Sequence, residues 1–124
     1  MKKLSKSIED YIERIYVDHS LNGIGVRITD LAKAMDVSKP SANDAVKRLT
    51  ADGYVQHERY GQIYLTELGE KTGKEIYHKH CVIKKFLQDI LNVSEDIAEE
   101  DACSIEHIIS DETFENMLKM LPEE

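Results

Sequence analysis

Five consecutive residues near the end of the chain, Cys103-Ser104-Ile105-Glu106-His107, include three side chains able to bind metals. In an α-helix, positions i, i+3 and i+4 share a face. Cys103, Glu106 and His107 are therefore predicted to point the same way, presenting a thiolate, a carboxylate and an imidazole together. These groups suit first-row divalent cations. His80 lies on a preceding long helical segment and is expected to converge on them. Asp10 and Glu13 repeat the i, i+3 spacing near the start of the chain, so three helices supply six candidate ligands. Each residue alone has an ordinary reading: Cys103 as a small core residue, His80 as a structural histidine, Asp10 and Glu13 as a wet helix face. Their combination carries the metal reading.

Those residues need elements to position them. Ser7 to about Ser20 has a helical stripe of Ile8, Tyr11, Ile12, Ile15 and Tyr16. Leu21-Asn22-Gly23-Ile24-Gly25 breaks it, and Val26-Arg27-Ile28 is predicted as a short strand. Thr29 is read as the N-cap of a helix from Asp30 to about Met35, followed by a tight turn at Asp36-Val37-Ser38. Pro40 pre-sets the first turn of the next helix, which runs to about Asp52 and ends at Gly53. Residues 54–58 and 63–65 form a hairpin with Gly61 in its turn. Thr66 caps a long helix to about Leu91, Ser94 caps one to about Ile109, and Ser110 starts the last.

Short helix, turn, second helix and hairpin make a winged helix-turn-helix. The predicted fold is therefore mainly α, with a winged-helix DNA-binding domain at 1–66 and a helical dimerisation and metal-binding domain at 67–124. The second helix of such a unit fits the major groove of double-stranded DNA, and its first residues meet base edges. Lys39, Pro40, Ser41 and Asn43 stand at that end. Lys47 and Arg48 lie farther along, toward phosphate, and Arg59 on the wing reaches backbone or minor groove. The competing reading of the basic residues is a solvated surface.

The bulk properties agree once the chain is divided. The 124 residues carry a net charge of −8. Residues 92–124 hold 11 acids and one base, a charge of −10, whereas residues 1–91 carry +2. The acidic end invites cations and leaves the other end able to face phosphate. No apolar leader follows Met1-Lys2-Lys3, no stretch approaches a membrane span, and two cysteines make no disulfide framework. A cytoplasmic protein is expected. No nucleophile–base pair or phosphate-cradling loop argues for an enzyme. The apolar surplus of Ile105, Ile108, Ile109, Phe114, Met117, Leu118 and Leu121 predicts a two-fold homodimer.

The sequence resembles the diphtheria-toxin-repressor-like family of iron- and manganese-dependent transcriptional regulators, and within it the short manganese-transport-regulator branch. The resemblance runs from "SIEDYIERIY" through the winged helix to "HKHCVIKKFL" and "EEDACSIEHIISDETFENML". It implies a homodimer that binds a palindromic operator when Mn²⁺ or Fe²⁺ is present, with Asp10, Glu13, His80, Cys103, Glu106 and His107 as ligands for one or two ions. The site is a hybrid. Asp10 stands where iron-type members carry Met, and Cys103 where manganese-type members carry Glu. Lys84 occupies a position that is Glu in the iron-type accessory site, with Glu99 or Glu100 as the available substitutes. Longer members add an SH3-like domain that is not expected here. The rival function is a winged-helix regulator that answers a non-metal ligand or a partner.

Overall fold

A computed structural model of the chain describes residues 4–58 and 61–122. The chain divides into two compact units, Met1–Glu75 and Ile76–Glu124.

In the first unit, α1 (Lys6–Ile15) is capped by Ser5, whose hydroxyl accepts from the Ile8 amide at 3.2 Å. Its predicted stripe is the buried one: Ile12 and Ile15 are fully buried, with Ile8 and Tyr11 nearly so. The helix widens into a π-helical turn over Tyr16–Leu21, and Gly23 at φ +67° turns the chain away. Two predictions in the next stretch need correction. The strand expected at 26–28 reduces to one bridge, Val26 to Ile63. Thr29 is not a cap: α2 (Ile28–Met35) starts one residue before it, behind an extended Arg27 without side-chain capping. The Arg27 carbonyl already accepts from the Leu31 amide at 2.9 Å, so the first helical bond closes before Thr29 can act as cap.

The turn between helices is closed by Asp36 in the left-handed region at φ 54°, which a short polar side chain tolerates. Then α3 (Lys39–Ala51) begins behind Ser38, whose hydroxyl accepts from the Ser41 amide, with Pro40 in the first turn. Ala42, Val46 and Leu49 face the core. Gly53, at φ +85°, follows the helix end. β1 (Val55–His57) pairs antiparallel with β2 (Ile63–Leu65) in the register Val55↔Leu65 and His57↔Ile63. Val55 and Ile63 point inward while Gln56 and His57 are exposed.

Thr66 opens α4 (Glu67–Asp89), accepting from the Gly69 amide and donating to the Gly53 carbonyl. The second unit holds the rest of α4, then α5 (Glu95–Ile105) and α6 (Asp111–Met120). Its core is Val82, Ile83, Leu87, Ala98, Ala102 and Phe114. Two ends move inward from the sequence reading: α4 stops at Asp89, and α5 stops four residues before Ile109. Asn92, at φ 57°, turns the α4–α5 connection. Ser94 stands at the N-cap of α5 without a side-chain bond, whereas Ser110 accepts from the Thr113 amide at the start of α6. Among the described residues no helix is long and apolar enough to cross a membrane.

Gly69 and Gly73 look like weak points in a helix, yet both are there for contact. A Cβ on Gly69 would lie 2.0 Å from the Tyr54 carbonyl oxygen, and one on Gly73 would lie 2.7 Å from Tyr16 Cβ. Gly→Ala in a helix normally stabilises by up to ~1 kcal/mol. Here overpacking against backbone reverses the sign, at a cost of about 1–3 kcal/mol. Gly69→Ala is therefore expected to lower the urea midpoint of unfolding; an unchanged or raised midpoint would refute the close-contact account.

Candidate metal centre

The face formed by α4 and α5 in the second unit collects most of the predicted ligands. His80 sits mid-α4 and is 6% exposed. Glu106 caps the C-terminus of α5 with right-handed helical angles (φ −57°, ψ −25°). His107 lies just past the helix end and is also buried. The expectation of one continuous helical face through His107 is corrected accordingly, but Glu106 keeps the helical direction and the residues stay together.

The distances are short. Glu106 Oε2 lies 3.3 Å from His80 Nδ1, and Glu106 Oε1 lies 3.4 Å from His107 Nε2. Cys103 is an exposed residue whose Sγ is 3.8 Å from His80 Nδ1. On the far side of the ring, Glu99 Oε2 is 2.8 Å from His80 Nε2. His80, Glu99 and Cys103 can each offer one ligand atom within 4.8 Å of the others.

Asp10 and Glu13 stand on α1 in the first unit, three residues apart and half-buried. On α3, Lys39, Pro40, Ser41, Lys47 and Arg48 are exposed and Asn43 is half-buried. The Ser41 hydroxyl receives a bond from the Ser38 hydroxyl at 2.9 Å, so its own proton is left to donate elsewhere. Arg59 lies outside the described residues. The residue whose part the sequence reading missed is Lys84, with Nζ 3.3 Å from Glu99 Oε2 and 3.7 Å from Glu95 Oε1. The available signal was the matching i, i+4 spacing of His80/Lys84 and Glu95/Glu99 on consecutive helices.

Electrostatics shows what this cluster lacks. The Glu106 side chain is fully buried, and neither carboxylate oxygen completes a hydrogen bond among the described residues. A buried, incompletely satisfied carboxylate is costly, and a cation held by it and the neighbouring imidazoles and thiol would meet the demand. The donor set fits such an ion: nitrogen, oxygen and sulfur ligands of the kind divalent transition metals take. His80 supplies compensating charge beside Glu106. The Glu106 carboxylate, helped by Glu99 and opposed by burial, raises the imidazole to about 9. Burial would raise the Glu99 carboxyl, but His80 and Lys84 more than offset it and hold the group below its ordinary value.

A winged helix followed by a helical unit with buried His80, Glu106 and His107 beside an exposed cysteine is the build of a metal-responsive, DNA-binding transcriptional regulator. Sequence comparison places the chain more narrowly: it belongs to the iron-dependent repressor family. Residues 3–63 match that family's N-terminal DNA binding domain, and residues 66–123 match its metal binding and dimerisation domain. An uncharacterised HTH-type transcriptional regulator of Methanocaldococcus jannaschii is 41% identical, over 92% of this chain and 91% of its own. The HTH-type transcriptional regulator MntR of Lysinibacillus sphaericus is 36% identical over 84% of this chain and 73% of its own. Among solved structures, the manganese regulator SloR superimposes with a TM-score of 0.78 at 31% identity, covering 90% of this chain. The present chain spans about half of that longer one, 52%.

The raised His80 group links charge to stability. A base whose folded pKa lies above its unfolded value of 6.5 stabilises the fold fully below that value, and the contribution disappears as pH rises through about 9. Chelator-treated protein is expected to lose about 1–3 kcal/mol of unfolding free energy between pH 6.5 and 9.5 from this group. His80→Gln should flatten that part of the profile. Identical profiles for the two proteins would remove His80 as the compensating charge.

Proposed function

We propose that this protein is a metal-activated repressor of metal-ion homeostasis genes, acting in the cytoplasm as a homodimer on a palindromic operator, with Mn²⁺ or Fe²⁺ as the activating ion. The observation that carries the reading is the buried Glu106 carboxylate, which completes no hydrogen bond among the described residues and lies within 3.3 Å of His80 Nδ1 and 3.4 Å of His107 Nε2. Residues 67–124 form the dimerising, metal-binding part and residues 1–66 the DNA-reading part. In the second unit His80, Cys103, Glu106 and His107 hold the ion. Asp10 and Glu13 on the first helix complete the ligand set when metal is bound.

A bound ion supplies positive charge where the ligand carboxylates and thiolate would otherwise repel one another. Engaging Asp10 and Glu13 ties the first helix of the DNA-reading part to the dimerising part. A dimer reads two half-sites about one helical turn apart, so fixing the posture of each reading head favours the operator-competent form. An ion shifts that population only by its preference for the ordered form. On DNA, Lys39, Ser41 and Asn43 meet base edges, Pro40 holds the start of α3, Lys47 and Arg48 meet phosphate, and Arg59 meets backbone or minor groove.

The hybrid donors bear on metal choice. Asp10 is a hard ligand suited to Mn²⁺, while the Cys103 thiolate favours softer ions such as Fe²⁺ or Co²⁺. The structurally similar SloR is a manganese regulator, which supports the Mn²⁺ side.

Anaerobic titration of divalent ions, read by binding to a labelled operator fragment, tests the whole reading. Metal is expected to tighten binding at least about tenfold, and Glu106→Ala to abolish that gain. Operator affinity indifferent to every ion would sink the reading and favour a non-metal effector. Cys103→Glu is expected to move the order of preference toward Mn²⁺; an unaltered order would strike Cys103 from the ligand set.

A further inference from the structure

Two helices of the second unit face each other with complementary spacing. His80 and Lys84 are four residues apart on α4, and Glu95 and Glu99 are four residues apart on α5. Glu99 Oε2 stands 2.8 Å from His80 Nε2 and 3.3 Å from Lys84 Nζ, while Glu95 Oε1 lies 3.7 Å from the same ammonium. The neighbouring His80, Glu99 and Cys103 atoms are close enough together to hold an ion. An amine that is positively charged at neutral pH already stands at the Glu99 end of that group.

We propose that the Lys84 ammonium is a built-in substitute for a metal ion at the outer end of the centre, closing the His80–Glu99–Cys103 group to divalent cations. The assignment rests on the reading of His80 as a metal ligand. It has two consequences for the side chains present. First, Glu99 is a positioning residue and not a ligand. Held by Lys84, it accepts the hydrogen of His80 Nε2. A histidine ligand whose second nitrogen donates to a carboxylate has its tautomer and ring direction fixed. The nitrogen left for metal is Nδ1, which lies 3.3 Å from Glu106 Oε2 and 3.8 Å from Cys103 Sγ. Second, a divalent ion entering beside Glu99 would meet the ammonium at short range, with like charges in a half-buried place. Lys84 is 26% exposed in its side chain, so solvent screens that repulsion only in part. The geometry thus divides the cluster into an inner end that answers metal and an outer end whose cation is covalently supplied.

The test counts ions. The full chain, as wild type, Lys84→Glu and Lys84→Ala, is dialysed to equilibrium against Mn²⁺ and, separately, Co²⁺, and bound metal per chain is measured by mass spectrometry. Lys84→Glu is expected to bind one more ion per chain than wild type, and adding Glu99→Gln to remove the extra ion. Lys84→Ala adds no carboxylate and should bind the extra ion more weakly; it carries the test if the charge reversal fails to fold. Stoichiometry unchanged from a metal-binding wild type in the folded variants overturns the assignment, as does an extra ion that survives Glu99→Gln. A wild type that takes up neither ion overturns the metal-centre reading itself, a distinct result.

Discussion

One buried carboxylate sets the terms for the second unit. Glu106 is removed from water at the end of α5, and among the described residues its oxygens complete none of the hydrogen bonds that make such burial tolerable. Positive charge comes from the His80 imidazole beside it and, beyond that ring, from the Lys84 ammonium that Glu99 holds. The raised His80 group is the proton-borne version of this compensation, and a divalent cation is a stronger one.

The reading part depends on a different economy of contacts. Its core is built from the helical stripe of α1, the inner faces of α2 and α3, and the inward residues Val55 and Ile63 of the wing. The tight fit of Gly69 against Tyr54 and Gly73 against Tyr16 draws the start of α4 close to the hairpin strand and to the end of the first helix. In this family's division of labour, residues 3–63 belong to the DNA binding domain and residues 66–123 to the metal binding and dimerisation domain. α4 begins at their junction.

Much of this was legible in the sequence because the signals were local. Ser38 with Pro40, Gly53, the hairpin around Gly61 and the Thr66 cap each act within a few residues, and each stands where its chemistry placed it. Thr29 misled because a good capping residue was outcompeted by a helix whose first bond forms from Arg27. The close spacing of Cys103, Glu106 and His107 keeps Cys103 and Glu106 beside His80 and His107 beside Glu106 even though the helix stops at Ile105. The two glycines of α4 read as weak helix formers, since the atoms they accommodate come from Tyr54 and Tyr16, distant in sequence. Lys84 was noted as a departure in the ligand pattern, but its hold on Glu95 and Glu99 depends on how α4 meets α5, which no residue pattern states alone.

The start of α3 has a consequence for how a nucleic acid would be met. Ser38 ties down the Ser41 amide and hydroxyl, and Pro40 fixes a backbone dihedral in the same turn. The leading end of that helix therefore has little conformational freedom to surrender when it enters a groove. A groove entered by that end would meet a rigid edge, with little local fraying to absorb an imperfect fit.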